Sequence, residues 1–127
     1  MIKVLHEQFA TVNLHEDFAV VEIKEGIVYN TEHNEALIAI GKVHYVDRPF
    51  GYISNRINSY SLDPIIYLKS GTIDNLKAIA IVSENPRNRT AAELEKKFYC
   101  KHFEIFNNLE EAKRWMNLIV ISHQISA

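Results

Sequence analysis

The run Leu76-Lys77-Ala78-Ile79-Ala80-Ile81-Val82 restricts this chain more than any other stretch of it. A strand with one wet face alternates apolar and polar residues, whereas here every residue except Lys77 is apolar and the run is too short for a buried helix. It is therefore predicted as a strand covered on both faces, near the centre of a parallel sheet. Parallel neighbours cannot be joined by tight turns. They need crossover connections, usually helices that pack back on the sheet in a right-handed sense. The remaining sequence must supply those helices.

It does so in alternation. Phe9 to Leu14 and Phe18 to Ile23, separated by His15-Glu16-Asp17, read as a β-hairpin at the N-terminus. Asn30 or Thr31 can cap a helix running to about Val46, with Leu37, Ile40, Gly41 and His44 as its inward stripe. Phe50 to Ser54 reads as a third strand, and Asn55 to Leu62 as a polar segment without periodicity. Asp63-Pro64 then opens a helix of about two turns that stops at Gly71. After the apolar strand, Asn85-Pro86, or a capping box Thr90-x-x-Glu93, starts a helix with Ala91, Leu94 and Phe98 on one side. Phe103 to Phe106 is a short strand, and Asn108-x-x-Glu111 caps a last helix burying Leu109, Ala112, Trp115 and Met116. The order ββαβαβαβα predicts an α/β fold with a mostly parallel sheet of four to five strands. Its 127 residues are read as one domain, with a core over about 9–116 and a tail over 117–127.

Charge and motif content narrow the function classes. Against 16 Asp+Glu stand 14 Lys+Arg, and no block of one sign suggests a nucleic acid or an anionic membrane as partner. No apolar run approaches the length of a bilayer span, and no signal core opens the chain, so a cytoplasmic location is expected. The single Cys100 allows no internal disulfide and suits a reducing compartment. Histidines 6, 15, 33, 44, 102 and 123 lack the i, i+4 spacing of a metal pair. Neither a P-loop nor a dinucleotide fingerprint is present, and no cofactor or metal is expected. Cys100 follows a helix C-terminus, where the dipole disfavours a reactive thiolate.

The segment Ser54 to Pro64 joins a strand's C-terminal end to a helix start, the place where α/β sheets commonly bind ligands. Ser54, Arg56, Ser59, Ser61 and Asp63 are its candidate interaction or phosphorylation residues. Ordinary loop and cap chemistry accounts for the same residue types. Arg87 and Arg89 sit beside the next helix start, where they can either hold an anion or stand in solvent.

Several stretches together resemble the SpoIIAA-like branch of the STAS superfamily. They are Phe50-Gly51-Tyr52-Ile53-Ser54-Asn55-Arg56, Asp63-Pro64, Leu76 to Val82, Glu93 to Phe98, and Phe103 to Trp115. The resemblance extends over about residues 9–116 by order of elements and implies a sheet flanked by helices and a role in bacterial regulation. Its partner would be an anti-sigma or kinase-like regulator. In anti-sigma factor antagonists a serine at the start of the helix after the third strand is phosphorylated. The matching stretch here is Ser61-Leu62-Asp63-Pro64, with Asp63 at the serine's place. A switch would thus be absent, replaced by a fixed charge, or moved to Ser61.

Three functions remain in play. The first is a non-catalytic protein-interaction module using the Ser54 to Asp63 loop and the following helix. The second is a small-molecule or lipid carrier, which an apolar cavity of ligand size would favour and a filled core would remove. The third is an enzyme built on Glu93 or Asp63 with a nearby histidine. A homodimer through the hairpin edge or through Leu118-Ile119-Val120-Ile121 is compatible with each.

Overall fold

A computed structural model describes residues 2–126. The expected hairpin is present as β2 (Ala10–Leu14) and β3 (Phe18–Ile23). A further strand, β1 (Lys3–His6), pairs antiparallel with β2. Beyond β3 come β4 (Val28–Tyr29), α1 (Thr31–Tyr45), β5 (Phe50–Asn55) and β6 (Ser61–Leu62). The chain continues through α2 (Ile66–Ser70), β7 (Leu76–Val82), α3 (Pro86–Lys96), β8 (His102–Phe106) and α4 (Leu109–Ser126).

The main sheet has the order β1-β2-β3-β5-β7-β8. The β3–β5, β5–β7 and β7–β8 pairs are parallel, and the two pairs at the β1 edge are antiparallel. It thus has six strands where four or five were expected, because Lys3–His6 extends the hairpin. The same extension puts β3 and β5 at the centre, and β7 lies next to the β8 edge instead of mid-sheet. Burial of β7 on both faces comes from its helical cover. One face carries α1, α2 and α3 over a core that includes Ile79 and Ile81; the other carries α4 over Ala78, Ala80 and Val82.

Close approach is built in at two glycines. A Cβ on Gly51 would occupy the place of the Met116 side chain, so α4 can lie directly on β5. On the opposite face a Cβ on Gly41 would meet Phe50 at 3.2 Å. There Tyr45 stacks on Phe50 with centroids 4.4 Å apart, and its hydroxyl donates to the His15 carbonyl at 2.9 Å.

Four expectations about elements need correction. In α1 Gly41 is buried and Leu37 and Ile40 pack half-buried on the core as expected, but the other buried residues are Asn34 and Tyr45, so the inward side is wider than the Leu37, Ile40, Gly41, His44 row. In α2 the helix proper starts at Ile66 and has five residues; Asp63 closes a turn ahead of it by accepting the Ile65 N–H at 3.1 Å. In α3 the buried residues are Ala92 and Glu95, while Ala91 and Leu94 face out. The expected tail over 117–127 is the second half of α4, with Val120 fully buried and Ala127 outside the described residues. No helix among the described residues is long and apolar enough to cross a membrane.

Candidate functional site

Between the sheet and helices α1 and α2 lies a cavity of about 50 Å³. Its floor is made by side chains of β5 and β7 such as Tyr52 and Ile79, and its walls by Leu37 and Ile38 of α1 and Ile66 and Tyr67 of α2. Its roof is the second, two-stranded sheet, in which β4 and β6 pair in parallel through two residues each. Few contacts hold that roof. Gly26 N–H donates to the Ser59 carbonyl at 2.8 Å, and Ser61 N–H to the Ile27 carbonyl at 3.0 Å. The Asn58 amide reaches the Ile23 carbonyl at 3.0 Å, and Ser59 N–H donates to both carboxylate oxygens of Glu25 at 3.1 Å. Gly26 makes the turn into β4 at φ 78°, which a side chain would resist.

At one end of the cavity lies an ion pair that is almost wholly removed from solvent. Arg56 is 9% exposed and Glu95 4%. The guanidinium meets both carboxylate oxygens, at 2.8 Å through Nη1 and 2.5 Å through Nη2. Arg56 Nε donates to Ser54 Oγ at 3.3 Å, and the Tyr67 hydroxyl donates to Glu95 Oε1 at 2.6 Å. The Tyr60 ring lies 5.6 Å from the guanidinium carbon and its hydroxyl is 3.2 Å from Ser54 Oγ. Burial works against the charge on Arg56, but the bond to Glu95, with Tyr60 and Tyr67 beside it, holds the guanidinium above its ordinary pKa. The fork-to-carboxylate geometry is what allows two charges to persist this deep.

Tyr29, Tyr52 and Tyr67 all face the cavity, and burial first of all raises each phenol's pKa above its usual value. They are neutral hydroxyls at ordinary pH. The Tyr29 hydroxyl donates to Asn34 Oδ1 at 3.1 Å. That leaves the amide nitrogen of Asn34 and the hydroxyl of Tyr52 without hydrogen-bond partners among the described residues.

The candidate loop residues separate into two groups. Ser54 and Arg56 belong to the buried cluster, so the Ser54 hydroxyl is engaged and covered. Ser59, Ser61 and Asp63 are exposed, on or beside the roof. Arg89 donates to the Ser83 carbonyl at 3.2 Å. Glu93, like Asp63, is exposed. Sequence reasoning missed Glu95, and with it the cavity groups Asn34 and Tyr52. A glutamate between Leu94 and Lys96 carries no local sign of burial, because its partner Arg56 lies 39 positions away in the sequence.

Exposed apolar side chains gather around this site, with Val28 in the roof, Ile57 in the loop, Ile65 just ahead of α2 and Leu68 on its outer side. No protein-family model matches the sequence, and no curated protein matches it. The chain is similar to the crystal structure of an uncharacterized protein of the DUF3478 family from Shewanella loihica PV-4, described as having a SpoIIAA-like fold. The TM-score is 0.58 at 17% identity, and the match covers 91% of this chain and 98% of that one. Element order, sheet topology and this likeness agree that the chain has a SpoIIAA-like fold.

Proposed function

We propose that this chain is a non-catalytic binding module that holds a small molecule between its sheet and helices α1 and α2. The observation that carries this reading is the cavity: its walls are apolar, and two hydrogen-bonding groups at its surface, on Asn34 and Tyr52, have no protein partner. Both groups line a mostly apolar cavity, where a bound molecule can supply the hydrogen-bond partner that the protein does not. The buried Arg56–Glu95 pair serves this role as a scaffold, since its hydrogen bonds are taken up by protein groups. Native mass spectrometry of the chain purified gently from its own cells tests the reading. The expected result is an added small-molecule mass that disappears on denaturation. A bare chain mass at every ionisation energy contradicts it.

A second reading, interaction with an anti-sigma or kinase-like regulator, is favoured by a different observation. Leu68 on α2 and Ile65 just ahead of it, with Val28 and Ile57 also exposed, leave an apolar outer surface on the helix that follows the Ser54 to Asp63 loop. Ser59 and Ser61 are exposed beside it and accessible to a kinase. Co-purification of such a regulator that is lost in Leu68→Glu supports this reading, and unchanged recovery with Leu68→Glu counts against it.

A further inference from the structure

β1 leaves the main sheet with an open edge, and we propose that a second copy of this chain docks there, β1 against β1, so that the two six-stranded sheets become one. The backbone supplies the bonds. In the β1–β2 ladder Lys3 stands opposite Leu14 and Leu5 opposite Val12, and the Glu7 N–H carries the same register on to the Ala10 carbonyl at 2.9 Å. Antiparallel ladders alternate, so Lys3, Leu5 and Glu7 turn their peptide groups towards β2, while Val4 and His6 turn theirs outward. Among the described residues no strand lies beyond β1 to receive them. Two copies related by a twofold axis at Leu5 bring Val4 opposite His6 of the second copy, and His6 opposite its Val4. Each such pair exchanges two N–H···O bonds.

The side chains select that register and that partner. Charged residues on an edge strand ordinarily keep other strands away. Here the charges are opposite in sign and symmetrically placed: with Leu5 on the axis, Lys3 faces Glu7 of the second copy, and Glu7 faces its Lys3. Neither side chain has an ion pair within its own chain among the described residues. A slip of two residues in either direction sets Leu5 against a charged Lys3 or Glu7, and an in-register parallel pairing sets like charges together. Lys3 and Leu5 stand on the face that carries α1, where an open groove of about 390 Å³ runs between β1 and that helix. Its wall includes Leu5, Ile40 and Val43, and Val43 is 82% exposed. The Leu5 pair on the axis takes a non-hydrogen-bonded position, where side chains stand closest, and joins the two grooves into one apolar strip. Contact limited to a four-residue edge and one groove wall is less than the roughly 800 Å² per partner of a standard interface, so the dimer is a weak one.

Sedimentation velocity of the full chain, from low micromolar to millimolar concentration, is the test, run on the native chain, Lys3→Glu, Glu7→Lys and His6→Pro with folding checked by circular dichroism. The native chain is expected to pass from monomer to dimer across that range. Lys3→Glu and Glu7→Lys each set like charges opposite one another and should weaken self-association about tenfold. Mixed in equal amounts, the two variants regain both attractive pairs and should associate as the native chain does. His6→Pro removes an outward N–H that the β1–β2 ladder does not use, so the fold stands while two of the bonds between copies are lost, and association should weaken by about the same factor. A native chain that stays monomeric throughout overturns the proposal. So does a dimer that both charge reversals leave intact, or a mixture that associates no better than either variant alone, since the copies would then meet through another surface, such as the exposed Leu118, Ile121 and Ile125 of α4.

Discussion

Arg56 and Glu95 are separated by 39 positions in sequence, yet they form a bidentate pair that neither could sustain alone. Replacing one partner leaves a buried charge uncompensated, at a cost of about 3–5 kcal/mol. Glu95→Leu and Arg56→Met are each expected to destabilise by that amount in urea unfolding, while the double variant Arg56→Met, Glu95→Leu should lose clearly less than their sum. Additive losses would mean the two groups are not coupled. The tyrosines give a second prediction at this scale. Tyr29, Tyr45, Tyr52, Tyr67 and Tyr99 all have pKa values raised above normal, in each case chiefly by burial. In the unfolded chain a phenol ionises near pH 10, about its unperturbed value. The folded form therefore keeps the full contribution of these groups below about pH 10 and loses it as pH rises towards their folded values. Alkaline titration should show tyrosinate absorbance appearing together with unfolding, whereas ionisation of these tyrosines ahead of unfolding would contradict their burial. None of this was legible from the chain alone. An amphipathic pattern marks which face is apolar, but Glu95 occupies a core position as a charged residue, and its partner is set by the fold.

At the scale of elements, legibility followed how much local chemistry each one carries. Asn30 caps α1 and accepts from His33 N–H at 3.1 Å, and Asn85 caps α3 with Pro86 behind it; both were readable from residue type and spacing. β4 and β6 were not, because two-residue strands have no period and exist only through each other. The same holds for β1, whose alternation is weak and whose pairing is non-local. The second half of α4 was read as a tail because Leu118-Ile119-Val120-Ile121 is continuously apolar, yet Val120 extends the Ala112, Met116 row at a spacing of four and is as fully buried. The roof carries a prediction of its own. Ser59 N–H is held by the Glu25 carboxylate, so a negative charge at Ser59 would face that carboxylate directly. Ser59→Glu should loosen the roof by about 0.5 kcal/mol, roughly twofold in exchange rate for the Gly26 and Ser61 amides, with Ser59→Ala as the neutral control. Equal rates in the two variants would remove any electrostatic latch from this loop.

At the scale of the whole molecule, the parallel core anticipated from Leu76 to Val82 carries helices on both faces, and the two faces do different things. The α4 face is closed by Ala112, Met116 and Val120, all fully buried, and packs directly on Gly51. The other face keeps open space between β5, α1 and α2 and walls it with side chains whose hydrogen-bonding capacity the protein does not use up. A packing fault would be filled at no loss to function, whereas a binding site trades stability for the space it keeps. The direct measurement is a cavity-filling variant, Ile38→Phe, compared with the native chain by thermal unfolding and by native mass spectrometry after purification from the source cells. The expected result is a higher Tm together with loss of the bound small-molecule mass. Retention of that mass by Ile38→Phe, or its absence from both proteins, would contradict it.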